Sequence, residues 1–476
     1  MTRPGRDEPQ GRPTTRVAET PGQRLARALY SLAWYAGAPL AAAYLLWRSR
    51  RQPAYRRGWG NRFGLAWPPV AGSGRLVWIH AVSVGETMAA RPLVEGLLAA
   101  RPGLRVLLTH MTPTGMETGE RLFGDRVERC LLPYDMPHAV TAFLHHYDPV
   151  AGVLMETELW PNLVAAADAR GMPLALVNAR LSPRSLAKAR RILPLVVPAL
   201  ARLDPVIAQT AGDASRLAER GCPASVAGNL KFDVHPDPVL VERGRAWRRG
   251  DARPVVLAAS TRDGEESLLL DAWPRTDALL AIVPRHPQRF EEVARLMERR
   301  FDGAIVRRSA AVAANGGETA GSAAVADVDG AGTAPMAPRA AAAVLGDSMG
   351  EMPAYYAMAD VAILGGSLQP FGGQNLIEAS AVGVPVVLGP HTFNFEQAAG
   401  QAIEAGAAVR VADAAEAVRV ALEIAGDPQR RARMSEQALA FADAHRGASE
   451  RILSQLLPLL GPAASPGPGV AGPARS

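Results

Sequence analysis

Short apolar segments alternate with helix-forming segments along most of this chain, and this alternation is the strongest constraint on its fold. The first set begins near residue 75 with LVWIH, LRVLLTH, VAGVLM, LALVNA and PVIA; the second begins at Val255 with VVLAAS, LLAIV, AIVRR, AAVLG, VAILGG and VPVVLG. Such runs, each followed by a helix, are typical of parallel strands joined by crossover helices. The sequence therefore predicts two doubly wound α/β domains of similar size, joined near residues 229–250.

The length of the chain supports this division. Its 476 residues exceed the roughly 250–300 residues that one hydrophobic core usually holds. Ligands of doubly wound folds bind beyond the carboxyl ends of the strands, so the residues directly after each strand are the first candidates for a site. The predicted organisation is a disordered tail at 1–23, a membrane-anchor helix at 24–50, an N-terminal domain at 51–232, a C-terminal domain at 233–461 with a low-complexity insert at 309–343, and a second disordered tail at 462–476.

A long apolar segment, Leu25 to Trp47, precedes the first strand and carries one charge, Arg27. As a helix rising about 1.5 Å per residue, it is long enough to cross a hydrocarbon core of about 30 Å. The segment is long for a signal-peptide core and lacks a clear cleavage site, so we expect a membrane anchor, either a span or an interfacial helix. Arginines lie on both sides of it and leave its orientation undecided.

Composition excludes several classes of protein. Two cysteines, Cys130 and Cys222, cannot build a disulfide framework and do not have a zinc-site spacing. A net charge of +6, from 52 basic and 46 acidic residues, is too small for the basic stripe of a nucleic-acid-binding protein. The two lysines, Lys188 and Lys231, do not follow a glycine, which excludes a P-loop. We interpret Asp327-Val-Asp329 in the insert as solvated and predict no metal site.

Three motifs supply candidate site residues in the N-terminal domain. Glu86 opens a helix after LVWIHAV, either as a general base or as the acidic partner of a capping box with Ser83. Glu156 follows the strand AGVL as a cleft candidate, whereas Glu158 can serve the next helix N-terminus. Lys231 lies near the domain junction, and a lysine in an arginine-rich chain suggests a compact point charge.

The C-terminal domain carries three more motifs. Arg285 follows LLAIVP and can face an anion such as a phosphate. GDSMG around Ser348 matches the nucleophile elbow of serine hydrolases, although the same turn can instead bind phosphate through backbone N–H groups. A glycine-rich loop from Gly365 precedes Glu378, whose carboxylate can accept hydrogen bonds from ribose hydroxyls. GxGxxG is absent, which disfavours a dinucleotide dehydrogenase and leaves nucleotide binding as the economical interpretation.

Eleven motifs together resemble one known family. HAVSVGET, THMTPTG, LPYDMP, METELWPN, NARLS, GNLKFD, DGEES, VPRHPQRF, GDSMGE, GGSL and LGPHTFNF are similar, in order and spacing, to the 3-deoxy-D-manno-octulosonic acid (Kdo) transferases of lipopolysaccharide assembly. The resemblance covers roughly residues 25–425 apart from the insert. It implies a GT-B fold with two Rossmann-like domains facing a cleft, and inverting, metal-independent and cofactor-free transfer of Kdo from CMP-Kdo to the lipid A precursor, lipid IVA. It also implies an anchor in the bacterial inner membrane, catalytic domains on the cytoplasmic face, and no nucleic-acid partner.

The same resemblance implies roles for individual residues. Glu86 would take the proton of the acceptor hydroxyl, while Glu156 and Lys231 would stabilise the transition state. The residues expected to contact CMP are Pro284, Arg285, Met349, Gly350, Glu351, Asn375, Leu376, Ile377 and Glu378. One position departs from the family pattern, because Gln374 stands where many members have a histidine; an amide can hydrogen-bond the donor but is a poor proton carrier. The alternative function is a membrane-tethered serine hydrolase that uses Ser348.

Overall fold

The computed structural model describes residues 18–182, 192–310, 336–337 and 340–461. These residues form two compact units. The first contains the chain up to Asp233 together with the residues from Gly447 onward, and the second contains Val234–Arg446. Most of the predicted tails and insert, with Lys188 and the Asp327–Asp329 pair, lie outside the described residues. The tail predicted at 1–23 is too long at its C-terminal end, because Pro21–Gln23 belong to a helix that Thr20 caps.

Each unit contains one parallel sheet, which confirms the α/β class. The sheet of the first unit has the strand order β3-β2-β1-β4-β5-β6-β7. Its strands are β1 Leu76–His80, β2 Arg105–His110, β3 Glu128–Leu131, β4 Ala151–Met155, β5 Leu174–Ala179, β6 Val206–Ala208 and β7 Ser225–Val226. Strand β1 pairs with β2 on one side and with β4 on the other. The direction of winding therefore reverses between β1 and β4, and a ligand crevice is expected beyond the ends of these two strands.

Helices cover the sheet of the first unit because its strands are apolar on both faces. Two buried clusters, one containing Trp78 and Phe143 and the other Ile79 and Val94, lie on opposite sides of β1, as expected for alternating side chains. The helices are α1 Pro21–Ser49, α2 Trp59–Arg62, α3 Val84–Ala100, α4 Pro113–Phe123, α5 Pro137–Tyr147, α6 Pro161–Ala169, α7 Leu193–Leu200 and α8 Ala211–Ala218.

The second unit repeats the architecture with the strand order β10-β11-β9-β8-β12-β13-β14. Its winding reverses between β8 and β12, since β8 pairs with β9 and β12. The strands are β8 Val255–Thr261, β9 Leu279–Pro284, β10 Ile305–Arg307, β11 Ala343–Leu345, β12 Val361–Leu364, β13 Val386–Leu388 and β14 Ala408–Arg410. The helices are α9 Pro238–Trp247, α10 Glu265–Ala272, α11 Phe290–Arg300, α12 Met352–Met358, α13 Leu376–Ala381, α14 Glu396–Glu404, α15 Ala414–Gly426 and α16 Pro428–His445.

The last helix of the described chain returns to the first unit. Helix α17, Ala448–Leu456, contributes Ile452 and Leu456 to the buried cluster that contains Ile79. The Asp233 carboxylate accepts hydrogen bonds from the backbone N–H of Gly447 and of Ser449, at 2.9 and 2.7 Å. The sequence placed everything up to residue 461 in the second domain; the compact unit instead ends at Arg446, because the apolar face of α17 completes the other core.

Helix α1 corresponds to the predicted anchor and runs three residues further toward the N-terminus than its predicted start at residue 24. It is the one helix among the described residues that is long and apolar enough to cross a membrane. One stripe of this helix packs on the first unit, with Leu45 2% exposed. The opposite stripe leaves large apolar side chains accessible, among them Leu25, Leu29, Leu32 and Leu40 at 58–75% exposure.

Candidate active site

The first unit gathers acidic side chains where β1 and β4 end. Glu86 lies in the first turn of α3, directly after β1, and its Oε2 accepts a 2.6 Å hydrogen bond from the backbone N–H of Val82. The alternative capping box does not form, because the Ser83 side chain makes no capping hydrogen bond and Glu86 accepts from the Val82 N–H instead of the Ser83 N–H. Glu86 therefore faces back toward the end of the strand, where the crevice is expected, and does not act as a helix cap partner of Ser83.

The surroundings of Glu86 tune its acidity. Burial, with the nearby Glu156 and Glu158, raises the pKa of this carboxyl to about 7, against the opposing effects of the Val82 N–H and Lys231. A carboxylate with a pKa near the working pH is suited to accept a proton and to release it again. Glu156, Glu158 and Lys231 all act on Glu86 within a single unit. The structure therefore brings together the three residues predicted from the sequence, Glu86, Glu156 and Lys231.

Glu156 and Lys231 form an ion pair, with Nζ 2.6 Å from Oε1. Glu156 has a φ of +58°, which is costly for a residue with a side chain and is common where backbone strain serves a site. Lys231 lies in a one-turn helix, Leu230–Phe232, that the Asn229 side chain caps. Asn178 at the end of β5 accepts a 3.0 Å hydrogen bond from the Leu230 N–H, which fixes this turn beside the strand ends.

Two further residues of this cluster were missed or assigned elsewhere. Glu158 accepts a 3.0 Å hydrogen bond from the indole N–H of Trp160, and burial raises the pKa of its carboxyl. His80, the last residue of β1, has its Nε2 4.0 Å from Glu158 Oε2. Burial, with the neighbouring His110, lowers the pKa of His80 to about 3, so its ring is neutral at working pH. A polar residue ending an apolar strand was the available sequence signal for His80.

In the second unit the predicted CMP residues follow the ends of β9, β11 and β12. Pro284 ends β9, and the backbone N–H of Arg285 donates to the carbonyl of Thr261. The Arg285 charge lowers the pKa of Glu378, which burial raises. Asn375 caps α13, which begins with Leu376 and Ile377, and donates from Nδ2 to Glu378 Oε1 over 3.2 Å. Arg285 and Glu378 therefore act on each other electrostatically.

Glu265 organises the glycine-rich loop after β12, a role that the sequence analysis did not assign. This carboxylate is fully buried and accepts four backbone N–H hydrogen bonds, of 2.6 to 3.2 Å, from Arg262, Gly366, Leu368 and Gln369. These donors follow β8 and β12, the two strands at the reversal point of the sheet. Two successive acids after a strand, in DGEES, were the signal that could have revealed it.

The GDSMG turn does not form a hydrolase site. The Ser348 hydroxyl lies 2.6 Å from Glu351 Oε2 and 2.7 Å from the Tyr355 hydroxyl, so its hydrogen-bond partners are an acid and a phenol. Arg308 donates two hydrogen bonds to the same Glu351 carboxylate. The hydrolase alternative therefore lacks the histidine base that a serine nucleophile needs. Met349, 61% exposed, and Gly350, with a φ of +83°, form the open part of this turn.

Among the described residues, no three or more His, Cys, Asp and Glu side chains are grouped so that they could hold a metal ion. Gln374, the departure from the family pattern, has its side-chain amide beside Gly366 of the glycine-rich loop.

Comparisons with known proteins decide the family. A model described as 3-deoxy-D-manno-octulosonic-acid transferase matches residues 57–234, and one described as glycosyl transferases group 1 matches residues 339–441. The 3-deoxy-D-manno-octulosonic acid transferase of Bordetella pertussis is 44% identical over 456 residues, covering 92% of this chain and all of that protein. This chain belongs to the Kdo transferase family. As a Kdo transferase it is a glycosyltransferase with the two α/β units of a GT-B fold, which confirms the resemblance, the fold class and the enzyme class.

A second relative also supports the Kdo transferase family. The 3-deoxy-D-manno-octulosonic acid transferase of Haemophilus influenzae is 32% identical and covers 89% of this chain and 96% of that protein. Among solved structures, the C-terminal CMP-Kdo binding domain of WaaA from Acinetobacter baumannii is 27% identical, with a TM-score of 0.37, and covers 43% of this chain and 98% of that one. A glycosyltransferase from Rickettsia africae is 12% identical with a TM-score of 0.49, over 82% of this chain.

Proposed function

We propose that this Kdo transferase moves Kdo from CMP-Kdo to a hydroxyl of the lipid A precursor, lipid IVA, with inversion at the anomeric carbon. Glu86 takes the proton of the acceptor hydroxyl while the hydroxyl oxygen bonds to the anomeric carbon. The bond from the anomeric carbon to the phosphate oxygen breaks, and CMP leaves with the electron pair. The observation that carries this proposal is the Glu86 carboxyl, whose pKa lies at about 7 at the end of β1.

In this proposal, Glu156 and Lys231 stabilise the charges of the transition state. Transfer places negative charge on the leaving phosphate and positive charge on the sugar, and preorganised charges are the usual means of lowering such a barrier. Lys231 and Glu156 form an ion pair that supplies one charge of each sign. Lys231 lies in the turn held by Asn178, and Glu156 directly follows β4. Lys231 also keeps Glu86 ionisable, because its charge opposes the effect of burial.

The second unit binds the donor in this proposal. The phosphodiester of CMP-Kdo carries one negative charge, which one arginine, Arg285, and backbone N–H groups can satisfy. Pro284, the Met349–Glu351 turn and the Asn375–Glu378 segment complete the CMP site, with Glu378 accepting from the ribose. Since the leaving phosphate is stabilised by these groups, the reaction is proposed to need no metal ion and no cofactor.

Membrane attachment is the second part of the proposal. Helix α1 leaves an apolar stripe accessible, and five arginines lie in or just beyond its C-terminal turn, at 48, 50, 51, 56 and 57. Each basic residue near an anionic lipid surface favours binding by about 1 kcal/mol. We therefore propose attachment of the bacterial enzyme to the cytoplasmic face of the inner membrane. The packing of α1 on the first unit favours an interfacial helix over a span.

The test replaces Glu86 by Gln and compares it with Glu95→Gln, a half-exposed residue of the same helix paired with Arg91. With purified lipid acceptor and CMP-Kdo, in the presence of EDTA, we expect E86Q to lower kcat by about 10²–10⁴-fold. CMP affinity, measured by calorimetry, should be unchanged, and E95Q should match the parent enzyme.

Product mass identifies the acceptor and the number of Kdo units added, and NMR of the anomeric carbon reports inversion. If E86Q turns over at the rate of E95Q, Glu86 is not the base. If the parent enzyme is inactive in EDTA and active with a divalent metal, metal-independent transfer is excluded.

A further inference from the structure

Helix α1 contacts the segment that carries the acidic residues of the first unit. The Trp34 ring is stacked on Tyr134, with centroids 5.4 Å apart, and lies 6.4 Å from the ring of Trp160. One turn earlier, the Ser31 hydroxyl lies 3.1 Å from Asn162 Oδ1. These contacts come from the middle of α1 and meet residues 134 and 160–162 of the folded unit. An anchor that only recruits the enzyme to a membrane would not need them.

The contacts of α1 continue into a buried polar group. Tyr30 hydrogen-bonds to Asp135, which is fully buried. The two oxygens of Asp135 accept hydrogen bonds from the backbone N–H groups of Asn162 and Leu163, at 2.9 and 2.8 Å. Asp135 therefore satisfies the free N–H groups at the start of α6. Through Tyr30, helix α1 therefore holds Asp135, and Asp135 in turn holds the start of α6.

The same segment leads directly to the proposed base. Trp160, which the α1 residue Trp34 contacts, donates its indole N–H to Glu158. The charge of Glu158 in turn raises the pKa of Glu86. Glu156 lies on the same short stretch, between the end of β4 and the start of α6. A continuous series of contacts therefore joins Trp34 of α1 to the acidic cluster through Trp160 and Glu158.

We infer that α1 is a positioning element of the acceptor-side site, in which Trp34 and Tyr30 hold the 156–162 segment so that Glu156 and Glu158 keep their places beside Glu86. This inference rests on the proposed function. It predicts that α1 contributes to turnover even where no membrane is present. A small misplacement of a reacting group can cost up to about 10²-fold in rate, so loss of the Trp34 contacts should be measurable.

The experiment compares Trp34→Leu with Trp47→Ala in detergent micelles, where the acceptor is dispersed and recruitment to a bilayer is not needed. Trp47 is 53% exposed and lies on the same helix, in contact with Tyr44 and Arg51. We expect W34L to lower kcat about 10-fold with KM for CMP-Kdo unchanged, W47A to match the parent enzyme, and Trp34→Phe, which keeps an aromatic ring, to restore most of the rate.

Two further measurements separate positioning from anchoring. Co-sedimentation with phosphatidylglycerol vesicles should be the same for W34L and the parent enzyme. The acidic limb of the pH–rate profile of W34L should move to lower pH, because a displaced Glu158 raises the pKa of Glu86 less. If W34L fails to fold, Ser31→Ala carries the test, with S31A expected to be slower than W47A.

The inference is overturned if W34L, or S31A where W34L does not fold, retains the kcat of W47A in micelles. It is also overturned if the variant loses activity on vesicles but not in micelles. Absence of Kdo transfer by the parent enzyme would instead contradict the proposed function, so the two failures are distinguishable.

Discussion

At the scale of single residues, the acidity of Glu86 is decided by what surrounds it. Burial is the main cause of its raised pKa, and the neighbouring acids add to it. The sequence shows an acid after a strand but does not show that two other acids and a lysine lie close to it. Glu158 illustrates the same point, because its sequence position suggests a role at a helix N-terminus while its carboxylate accepts from the Trp160 indole.

The activity should depend on pH through Glu86. A base must be ionised, so with a pKa of about 7 we expect kcat/KM to fall tenfold per unit as pH drops below 7. The profile is measured between pH 5 and 9 in a buffer of constant ionic strength. A plateau that extends down to pH 5 would contradict the raised pKa.

The effect of Glu86 on folding has the opposite sign. Its pKa in the folded protein lies above the ordinary glutamate value of 4.5. The native state therefore binds the proton more tightly than the unfolded chain does, and stability decreases as pH rises from about 4.5 to 7. Glu86→Gln has no charge to bury. Its Tm should therefore exceed that of the parent enzyme at pH 8, with the difference shrinking toward pH 5.

At the scale of elements, buried side chains hold the loops that follow the strands. Asn178 holds the turn of Lys231, and Glu265 holds the loop at Gly366. Gly366 has a φ of +70°, a conformation that glycine adopts without strain. The strands, the helices after them and the positions of the site motifs were predictable, since each depends on local patterns. The loop-holding residues were not, because their partners are distant in sequence.

Glu265→Gln should disturb the donor side. Four backbone N–H groups need acceptor oxygens, and an amide supplies one oxygen and introduces donors, so buried N–H groups are left unsatisfied at about 1–3 kcal/mol each. We expect CMP to bind about 10-fold more weakly by calorimetry, with a lower Tm. Glu292→Gln, an exposed partner of Arg289 in the same unit, is the control. Unchanged CMP affinity in a folded E265Q would show that the loop is held by other contacts.

At the scale of the whole molecule, the chain leaves the first unit at Asp233 and re-enters it at Gly447. The carboxylate of Asp233 joins these two points through Gly447 and Ser449. The first unit is therefore built from both ends of the chain, and α17 is part of its core.

A chain ending at Arg446 should lose stability in the first unit. It lacks Ile452, Leu456 and Leu460, which are buried and contribute about 2 kcal/mol each. It also lacks the N–H groups of Gly447 and Ser449 that donate to the Asp233 carboxylate. We expect a loss of about 6 kcal/mol, measured by denaturant unfolding. A chain ending at Gly461 keeps α17 and should match the full chain. Equal stability of the two shortened chains would mean that α17 adds nothing to the core.

The sequence by itself determined the α/β class, the two parallel sheets, the apolar N-terminal helix and the motifs of the Kdo transferase family, because apolar periodicity and short motifs are local properties of a chain. Only the tertiary structure decided that α17 joins the first unit, that Ser348 contacts Glu351 and Tyr355, and that Trp34 of α1 reaches Trp160. Each of these depends on contacts between residues far apart in sequence or on the direction of a side chain, and neither is encoded in a local pattern.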